Sequence, residues 1–567
     1  MSFTAHNYAD ELAAAEDAGT ISRTTAAAGD SIAVAVWTIV ARVSGLAKFA
    51  AIGAVLGPTF FGNTYQFTNS LPNLVYYGFL AGSLFSSLLV PALVQHIDAG
   101  DRAASQRVAG GFLGVTAVAL VAVAPVAIFL GPLTLRFGAL AGGAAATGAA
   151  QERVARWLIL MFIPQIFLYG VVGTATAAMN ARRRFALAAA APAIESLGIV
   201  AVLVVTALVF GSRAGVNNVS TGEMLLLGFG TTGAVALHAA TQWWGAKRAG
   251  ITLIPRAGWR DREVRAVVRR ALPSLVQAGL QALQVLALLI VANTVAGGVV
   301  AFQIALNFYY LAIAVGATPV ALAWLPRLAR MHVADEMQEF HDTLLRGLAL
   351  GFFITIPAAA GYLALATPLA RAVSFGKMNS TAGVGMVSVS LMALSVAVIA
   401  QTAFMIATYA SYARKDTRTP MKSMMLQAVL CLGLVSSALL VHGSAVLLVI
   451  GLAFSASVTV AAWHLTRRVL KGLGPSTEHL TPSLLKIAVG AAVMVGPAWA
   501  CARVVRALVG DGGAGALLGT GAAVAVGGLT FLAVEAFWKA PEVAQITGGL
   551  SHLGNKARHT FAGVTHD

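Results

Sequence analysis

Charged residues are scarce in this chain of 567 residues: they make up 11% of it, and the mean hydropathy is +0.80. Soluble proteins contain about 25% charged residues, so a water-soluble globular fold is excluded. Cysteine is also scarce, since Cys431 and Cys501 are the two in the chain and both lie in apolar segments. A disulfide framework or a Cys/His metal site is therefore not expected. The apolar segments are long and continuous, which is typical of membrane helices and not of alternating barrel strands.

Sequence signatures of catalysis are missing as well. The chain contains no Walker A sequence, no HExxH pair and no Cys/His cluster. We therefore predict that it is not an enzyme and binds no cofactor and no metal. The net charge of +16 is interpreted as the positive-inside bias of a membrane protein and not as a nucleic-acid footprint.

Apolar segments predict about fourteen transmembrane helices, which we number as spans 1 to 14. Placing the N-terminus in the cytoplasm leaves 27 Lys and Arg residues on the cytoplasmic side and seven on the other side. This bias indicates that both termini are cytoplasmic. The predicted spans are 31–57, 71–95, 107–133, 154–179, 185–211, 222–246, 268–297, 299–325, 345–370, 383–410, 421–441, 443–466, 483–508 and 513–537.

Short sequence words recur across the basic segment between spans 6 and 7. LVPAL at 89–93 is similar to WLPRL at 324–328, and ARRR at 181–184 is similar to ARKD at 413–416, at offsets of 235 and 232 residues. Because each unit would hold six spans, the repeat must be parallel. We predict a disordered cytoplasmic tail (1–30), an N-lobe (31–246), a basic cytoplasmic linker (247–267), a C-lobe (268–470), two extra helices (471–540) and a cytoplasmic tail (541–567).

Ionisable residues inside predicted spans are functional candidates, because a charge at the bilayer centre costs about 3 kcal/mol or more. Arg42 and Lys48 lie in span 1 and could receive an anionic group; the alternative is that they snorkel or pair with a carbonyl. Glu195 lies ten residues into span 5. It is our candidate for ion coupling, or a partner of Arg42 or Lys48; the alternative is a shallow position that reaches water.

Amide side chains surround the start of span 2 and recur in span 8. They could line a hydrated path and bind sugar hydroxyls, or they could hydrogen-bond neighbouring helices to one another. We retain both interpretations. The substrate-binding candidates among them are Asn63, Gln66, Asn73 and Asn307.

Several motifs in this order resemble those of one transporter family. They are RVSGLAK at 42–48, SLPNL at 70–74, SFGK at 374–377 and, most specifically, YARKDTRTPMK at 412–422. With the predicted span count, they make the chain similar to the MurJ (MviN) lipid II flippases of the multidrug/oligosaccharidyl-lipid/polysaccharide (MOP) exporter superfamily. Some charged positions of the family differ here: Phe49 and Asn63 stand where it has acidic residues, and Tyr76 and Tyr77 where it has arginines.

The resemblance implies a multi-pass protein of the bacterial cytoplasmic membrane that takes part in peptidoglycan synthesis. Its substrate would be a polyprenyl-pyrophosphate-linked saccharide, moved outward by alternating access, with membrane lipids and cell-wall synthesis proteins as partners. Two alternatives remain open at this point. One is export of another lipid-linked glycan or amphiphile, and the other is a non-transporting scaffold of cell-wall synthesis.

Overall fold

The computed structural model describes residues 36–76, 89–141, 145–211, 215–478, 480–510 and 512–543, and within them it contains helices and no strand. The predicted all-α class is thus confirmed. The predicted 1–30 tail and most of the 541–567 tail lie outside the described residues. The helices are α1 (Val36–Leu56), α2 (Phe60–Val75), α3 (Val90–Asp98), α4 (Arg102–Ala141), α5 (Ala145–Phe162), α6 (Pro164–Ala181), α7 (Phe185–Phe210), α8 (Thr221–Arg248), α9 (Arg262–Ala292), α10 (Gly298–Val333), α11 (Met337–Ala364), α12 (Ala366–Val373), α13 (Thr381–Ala413), α14 (Arg418–Val435), α15 (Ser444–Leu470), α16 (Leu480–Val509) and α17 (Gly513–Phe537).

Thirteen segments of the described chain are long and apolar enough to cross a membrane, and they correspond to every predicted span except the second. Span 2 begins in α2 and ends in α3, and its middle, residues 77–88, lies outside the described residues. Span 4 is divided into α5 and α6 at Pro164, and span 9 is divided into α11 and α12 at Leu365. Because thirteen of the predicted spans are matched by helix, the chain is a multi-pass α-helical membrane protein.

The helices form two packed groups and an added pair. Helices α1 to α8 make up the N-lobe, in which α7 packs on α8 and α4 packs on α5. Helices α9 to α15 make up the C-lobe, where α13 packs between α10 and α15. Helices α16 and α17 pack on each other and on α11 and α12. The predicted boundaries between these units stay a prediction.

The turns that end α6 and α13 have the same form, at the offset of the predicted repeat. Arg183 and Lys415 occupy the same position in these turns and both have a left-handed backbone, with φ of 57° and 59°. The residue that follows each donates its backbone N–H to a carbonyl five residues earlier, from Arg184 to Met179 and from Asp416 to Ser411, both at 2.9 Å. These matching helix ends are 232 residues apart, as the ARRR and ARKD words indicate.

The segment between the lobes is fixed to the N-lobe. Arg256 donates its backbone N–H to the carbonyl of Gly110 in α4 at 2.9 Å. Gly114, one turn later, faces the Arg256 backbone so closely that a Cβ would overlap its carbonyl oxygen. Arg107 lies 3.1 Å from Asp261, the residue that caps α9. The end of the helix bundle at which the segment between α8 and α9 lies is called the linker face. The other end, at which α1 ends and α2 begins, is called the opposite face.

Candidate functional site

A buried carboxylate in the N-lobe is contacted from three other helices. Glu195 of α7 is 8% exposed. The Tyr169 hydroxyl of α6 donates to its Oε1 at 2.9 Å, and Nδ1 of His238 in α8 lies 2.9 Å from its Oε2. Nζ of Lys48 in α1 lies 4.0 Å from Oε1. These four residues are called the Glu195 cluster, and its formal charge is zero when the imidazole is neutral.

Local sequence explains why α7 and α8 meet at Glu195. Pro192 has no N–H to donate, which leaves the carbonyl of Ala188 without its helical partner. Nε2 of Gln242 in α8 donates to that carbonyl at 3.3 Å, one turn beyond His238. On the other side of Glu195, Gly198 lies so close to Ala234 that an added Cβ would be 2.8 Å from the alanine Cβ. Small residues therefore let the two helices approach closely.

Aromatic rings lie beside the Glu195 cluster. Tyr76 stacks on Tyr169, with ring centroids 5.7 Å apart and an interplanar angle of 24°. Lys48 Nζ lies 5.0 Å from the centroid of the Phe49 ring. Tyr76 and Phe49 thus lie beside the charged Glu195 cluster. Arg42 does not reach it: its side chain is exposed on α1, six residues before Lys48.

A second polar group joins the two lobes at the opposite face. Asn63 of α2 donates to Val295 O at 2.8 Å and to Asn293 Oδ1 at 3.1 Å, and it accepts the Val299 N–H at 3.0 Å. Gln151 of α5 donates to Asn293 Oδ1 at 3.1 Å. The three amide residues, Asn63, Gln151 and Asn293, are fully buried and are called the amide network. Here Asn63 holds the lobes together, and its predicted role in substrate binding stays a prediction.

The other predicted amides lie further along the same boundary between the lobes. Gln66 of α2 and Gln303 of α10 both donate to the Ser70 hydroxyl at 3.0 Å. Asn307, one turn after Gln303, donates to that residue's carbonyl at 3.2 Å, and both it and Asn73 are half-buried. These residues form a polar strip between α2 and α10, so their binding role also stays a prediction.

Two backbone turns also bring the lobes into contact at the opposite face. Gly57, with φ of 73°, lies beneath the Lys377 side chain, where an added Cβ would be 2.8 Å from the lysine Cβ. Gly297, with φ of 78°, lies against Pro58 so closely that a Cβ has no room. The lysine belongs to the SFGK motif, and burial lowers its pKa while Glu223 of α8 raises it less. Both contacts join the N-lobe to the C-lobe.

Sequence reasoning missed several of these residues. It did not single out Tyr169, His238, Gln151 or Asn293. The signal for His238 was present, because an ionisable residue in the middle of an apolar span is a functional candidate by default. The amides carry the same signal in weaker form, whereas nothing local distinguishes Tyr169 from an interfacial tyrosine. Tyr169 lies near Glu195 only because both α6 and α7 pack on α8.

Comparison with known sequences identifies similar proteins. The family described as "Lipid II flippase MurJ" matches residues 52–510, a range that begins four residues after Lys48. A relative from Vibrio cholerae serotype O1, named "Probable lipid II flippase MurJ", is 25% identical over 408 residues, covering 69% of this chain and 73% of the relative. One from Burkholderia cenocepacia, named "Lipid II flippase MurJ", is 24% identical over 397 residues, covering 69% and 74%.

Solved structures share the fold. A structure described as "Lipid II flippase MurJ, inward closed conformation" superposes with a TM-score of 0.66 at 15% identity, covering 90% of this chain and 99% of its own. An inward-facing multidrug resistance MATE family transporter of the MOP superfamily has a TM-score of 0.60 at 14% identity, covering 77% and 97%. At these identities the likeness concerns the arrangement of helices.

Proposed function

This chain belongs to the lipid II flippase MurJ family, and on that premise we propose that it moves a polyprenyl-pyrophosphate-linked saccharide across the cytoplasmic membrane by alternating access. The saccharide would be lipid II or a related cell-envelope precursor. The observation that carries the proposal is the family match over residues 52–510, which spans both lobes. Relatives covering more than two thirds of the chain have the same name.

The proposed orientation places the linker face in the cytoplasm. It is supported by the basic residues that follow the even-numbered spans, such as Arg182–Arg184 and Arg414–Lys415. The amide network and the Lys377 contact then close the outward side. The described conformation would therefore have its outward side closed.

Lys48 is the proposed ligand for the pyrophosphate. Its side chain is 13% exposed and its Nζ is 4.0 Å from Glu195, which is longer than a close ion pair. An anion of higher charge can therefore compete for the ammonium group. Arg42 lies about 9 Å nearer the linker face, from the helical rise of 1.5 Å per residue, and would meet the headgroup first. Gln66, Asn73 and Asn307 would bind the sugar, because amides donate to and accept from hydroxyls.

Reconstitution tests the substrate. Purified protein in vesicles should move a fluorescent lipid-linked saccharide pyrophosphate across the bilayer, and depletion in the native host should accumulate the precursor on the cytoplasmic side. Retention of normal precursor levels after depletion, together with no movement in vesicles, would contradict the flippase function and favour the scaffold alternative.

Substitution tests the site. Lys48→Ala should lose a charge-assisted hydrogen bond of about 1.5–3 kcal/mol, which is about 10- to 150-fold weaker binding of a polyprenyl pyrophosphate. Lys48→Arg should retain most of the affinity, because the charge remains. The control is Lys471→Ala, which removes an exposed lysine just beyond α15 and should bind as the wild type does. Equal binding by Lys48→Ala and the wild type would remove Lys48 from the site.

A further inference from the structure

The Glu195 cluster contains more ionisable groups than pyrophosphate binding requires. Glu195 is faced by Lys48 from α1, Tyr169 from α6 and His238 from α8, and Tyr76 lies behind Tyr169. Among the described residues, these are the titratable groups packed around the carboxylate. Glu195 and Lys48 would form a neutral pair by themselves. The imidazole of His238 therefore needs a separate explanation.

Lys48 is the partner that can leave. Its Nζ is 4.0 Å from the carboxylate and its side chain is 13% exposed, whereas the His238 side chain is 3% exposed and its Nδ1 is 2.9 Å away. Lysine also has a long, flexible side chain with several rotatable bonds. A ligand that attracts the ammonium group would therefore withdraw Lys48 and leave Glu195 with His238 and Tyr169.

His238 has an unused nitrogen. Its Nδ1 contacts Glu195, but its Nε2 is buried and has no hydrogen-bond partner among the described residues. A neutral imidazole that donates through Nδ1 has a free lone pair on Nε2. It can bind a proton there without breaking its hydrogen bond to Glu195. The residue is 2% exposed, so the added charge would be held next to the carboxylate.

We propose that Glu195 and His238 form a proton-binding pair that takes up one proton when an anionic pyrophosphate draws Lys48 away. The inference rests on the proposed function and adds its ion coupling. Before binding, the charges of Lys48 and Glu195 cancel. After binding, Lys48 pairs with the ligand, and one proton from water returns the pair to zero charge. The reason is that an unpaired charge is strongly unfavourable in a buried position.

Uptake of a proton makes ligand binding depend on pH. Since coupling between two ligands is reciprocal, acidification must tighten pyrophosphate binding by the same factor by which pyrophosphate tightens proton binding. For one proton, the affinity changes by up to tenfold per pH unit. Without the pair, the affinity would follow only the ionisation of the probe itself.

Calorimetry on the full chain in lipid nanodiscs tests the proposal, with geranylgeranyl pyrophosphate as the probe. Titrations at one pH in buffers of different ionisation enthalpy give the number of protons taken up. Wild type should take up close to one proton more than Glu195→Gln, which carries no charge to compensate. Glu195→Gln should still bind, and above pH 7 it should bind more tightly than wild type.

A second variant separates the imidazole from the carboxylate. His238→Gln keeps a donor for Glu195 but leaves the carboxylate as the proton acceptor. Because an imidazole holds a proton to higher pH than a carboxyl does, the midpoint of the pH dependence should move toward acid. The matched control is Glu152→Gln, which removes a carboxylate paired with Arg136 and Arg156 on the surface and should match wild type.

The outcomes distinguish the two proposals. Binding by wild type with the same proton uptake as Glu195→Gln would overturn the proton-binding pair and leave the flippase function standing. No binding of the probe by wild type or by Lys48→Arg would contradict the pyrophosphate site itself. Gel filtration and melting of each variant show that it is folded before it is compared.

Discussion

At the scale of single residues, the chemistry of Asn63 explains why an amide stands there. Its nitrogen donates to two oxygens of the C-lobe, and its oxygen accepts the Val299 N–H. A carboxylate has no hydrogen to donate, so an acidic residue at this position would face two acceptor oxygens. The amide joins the lobes without charge in a fully buried place.

Asn63→Asp should therefore open the opposite face. It loses two donated hydrogen bonds and leaves buried groups unsatisfied at about 1–3 kcal/mol each. The melting temperature should fall, and a cysteine introduced at Val295 should react faster with an impermeant thiol reagent. Asn217→Ala, in an exposed turn before α8, is the control. Unchanged labelling of Asn63→Asp would show that the amide network does not hold the face closed.

At the scale of elements, the glycines of α4 determine where the interlobe segment lies. Gly110 and Gly114 face the backbone of residues 254–256, and Gly258 lies against Gly111 in the same way. A side chain at any of these positions would push the segment off the helix. The start of α9 is thereby fixed to the N-lobe, which limits how the C-lobe can move.

Gly114→Ala should release this segment, because its Cβ would overlap the Arg256 carbonyl oxygen. We expect faster tryptic cleavage after Arg256 in the purified protein and a lower melting temperature. Gly233→Ala is the matched control, since Gly233 is also a helical glycine but has open space around it. There alanine should stabilise slightly, by up to about 1 kcal/mol. Equal cleavage of both variants would show that the contact does not hold the segment.

Local sequence also explains where α14 begins. Asp416 in the YARKDTRTPMK motif accepts the backbone N–H groups of Arg418 and Thr419 at 3.0 Å. Burial raises the pKa of this carboxyl, but the hydrogen bonds from Thr419 and Arg418 and the charge of Arg414 together lower it more. The net pKa is below the usual value, so the ionised form stabilises the fold.

Asp416→Ala should cost about 0.5–2 kcal/mol at pH 7, as the loss of a helix cap does. Because the folded-state pKa is lowered, the ionised carboxylate contributes its full stability above the unfolded pKa. That contribution disappears as the pH falls through the folded value. Unfolding in detergent at neutral and acid pH measures the difference. Asp416→Asn keeps the acceptor and should retain most of the stability at both pH values; an Ala effect that persists in acid would contradict this account.

At the scale of the whole molecule, the two faces differ in charge and in contacts. The left-handed turns with Arg183 and Lys415 lie on the linker face, and the Lys377 contact lies on the opposite face. A polytopic protein retains the loops rich in Lys and Arg in the cytoplasm. Because successive spans cross the membrane in opposite directions, alternate turns of the described chain lie on the same side.

Thiol labelling of intact cells checks this topology. Single cysteines at Asn218 and Asn379, in turns of the opposite face, should react with an impermeant reagent from outside. Cysteines at Arg183 and Lys415 should react only after the cells are broken. Reversed labelling would overturn the orientation, and with it the proposed direction of transport.

Hydropathy alone predicted the helical class and thirteen of the spans that the structure describes, because crossing a bilayer requires about twenty apolar residues in sequence. The similar words at 181–184 and 413–416 also marked two helix ends that have the same backbone conformation at Arg183 and Lys415. The sequence likewise marked Lys48 and Glu195 as costly charges. Only the tertiary structure showed that they meet, and that His238 and Tyr169 join them. Residues 190 positions apart in a chain become neighbours through helix packing, which hydropathy does not encode.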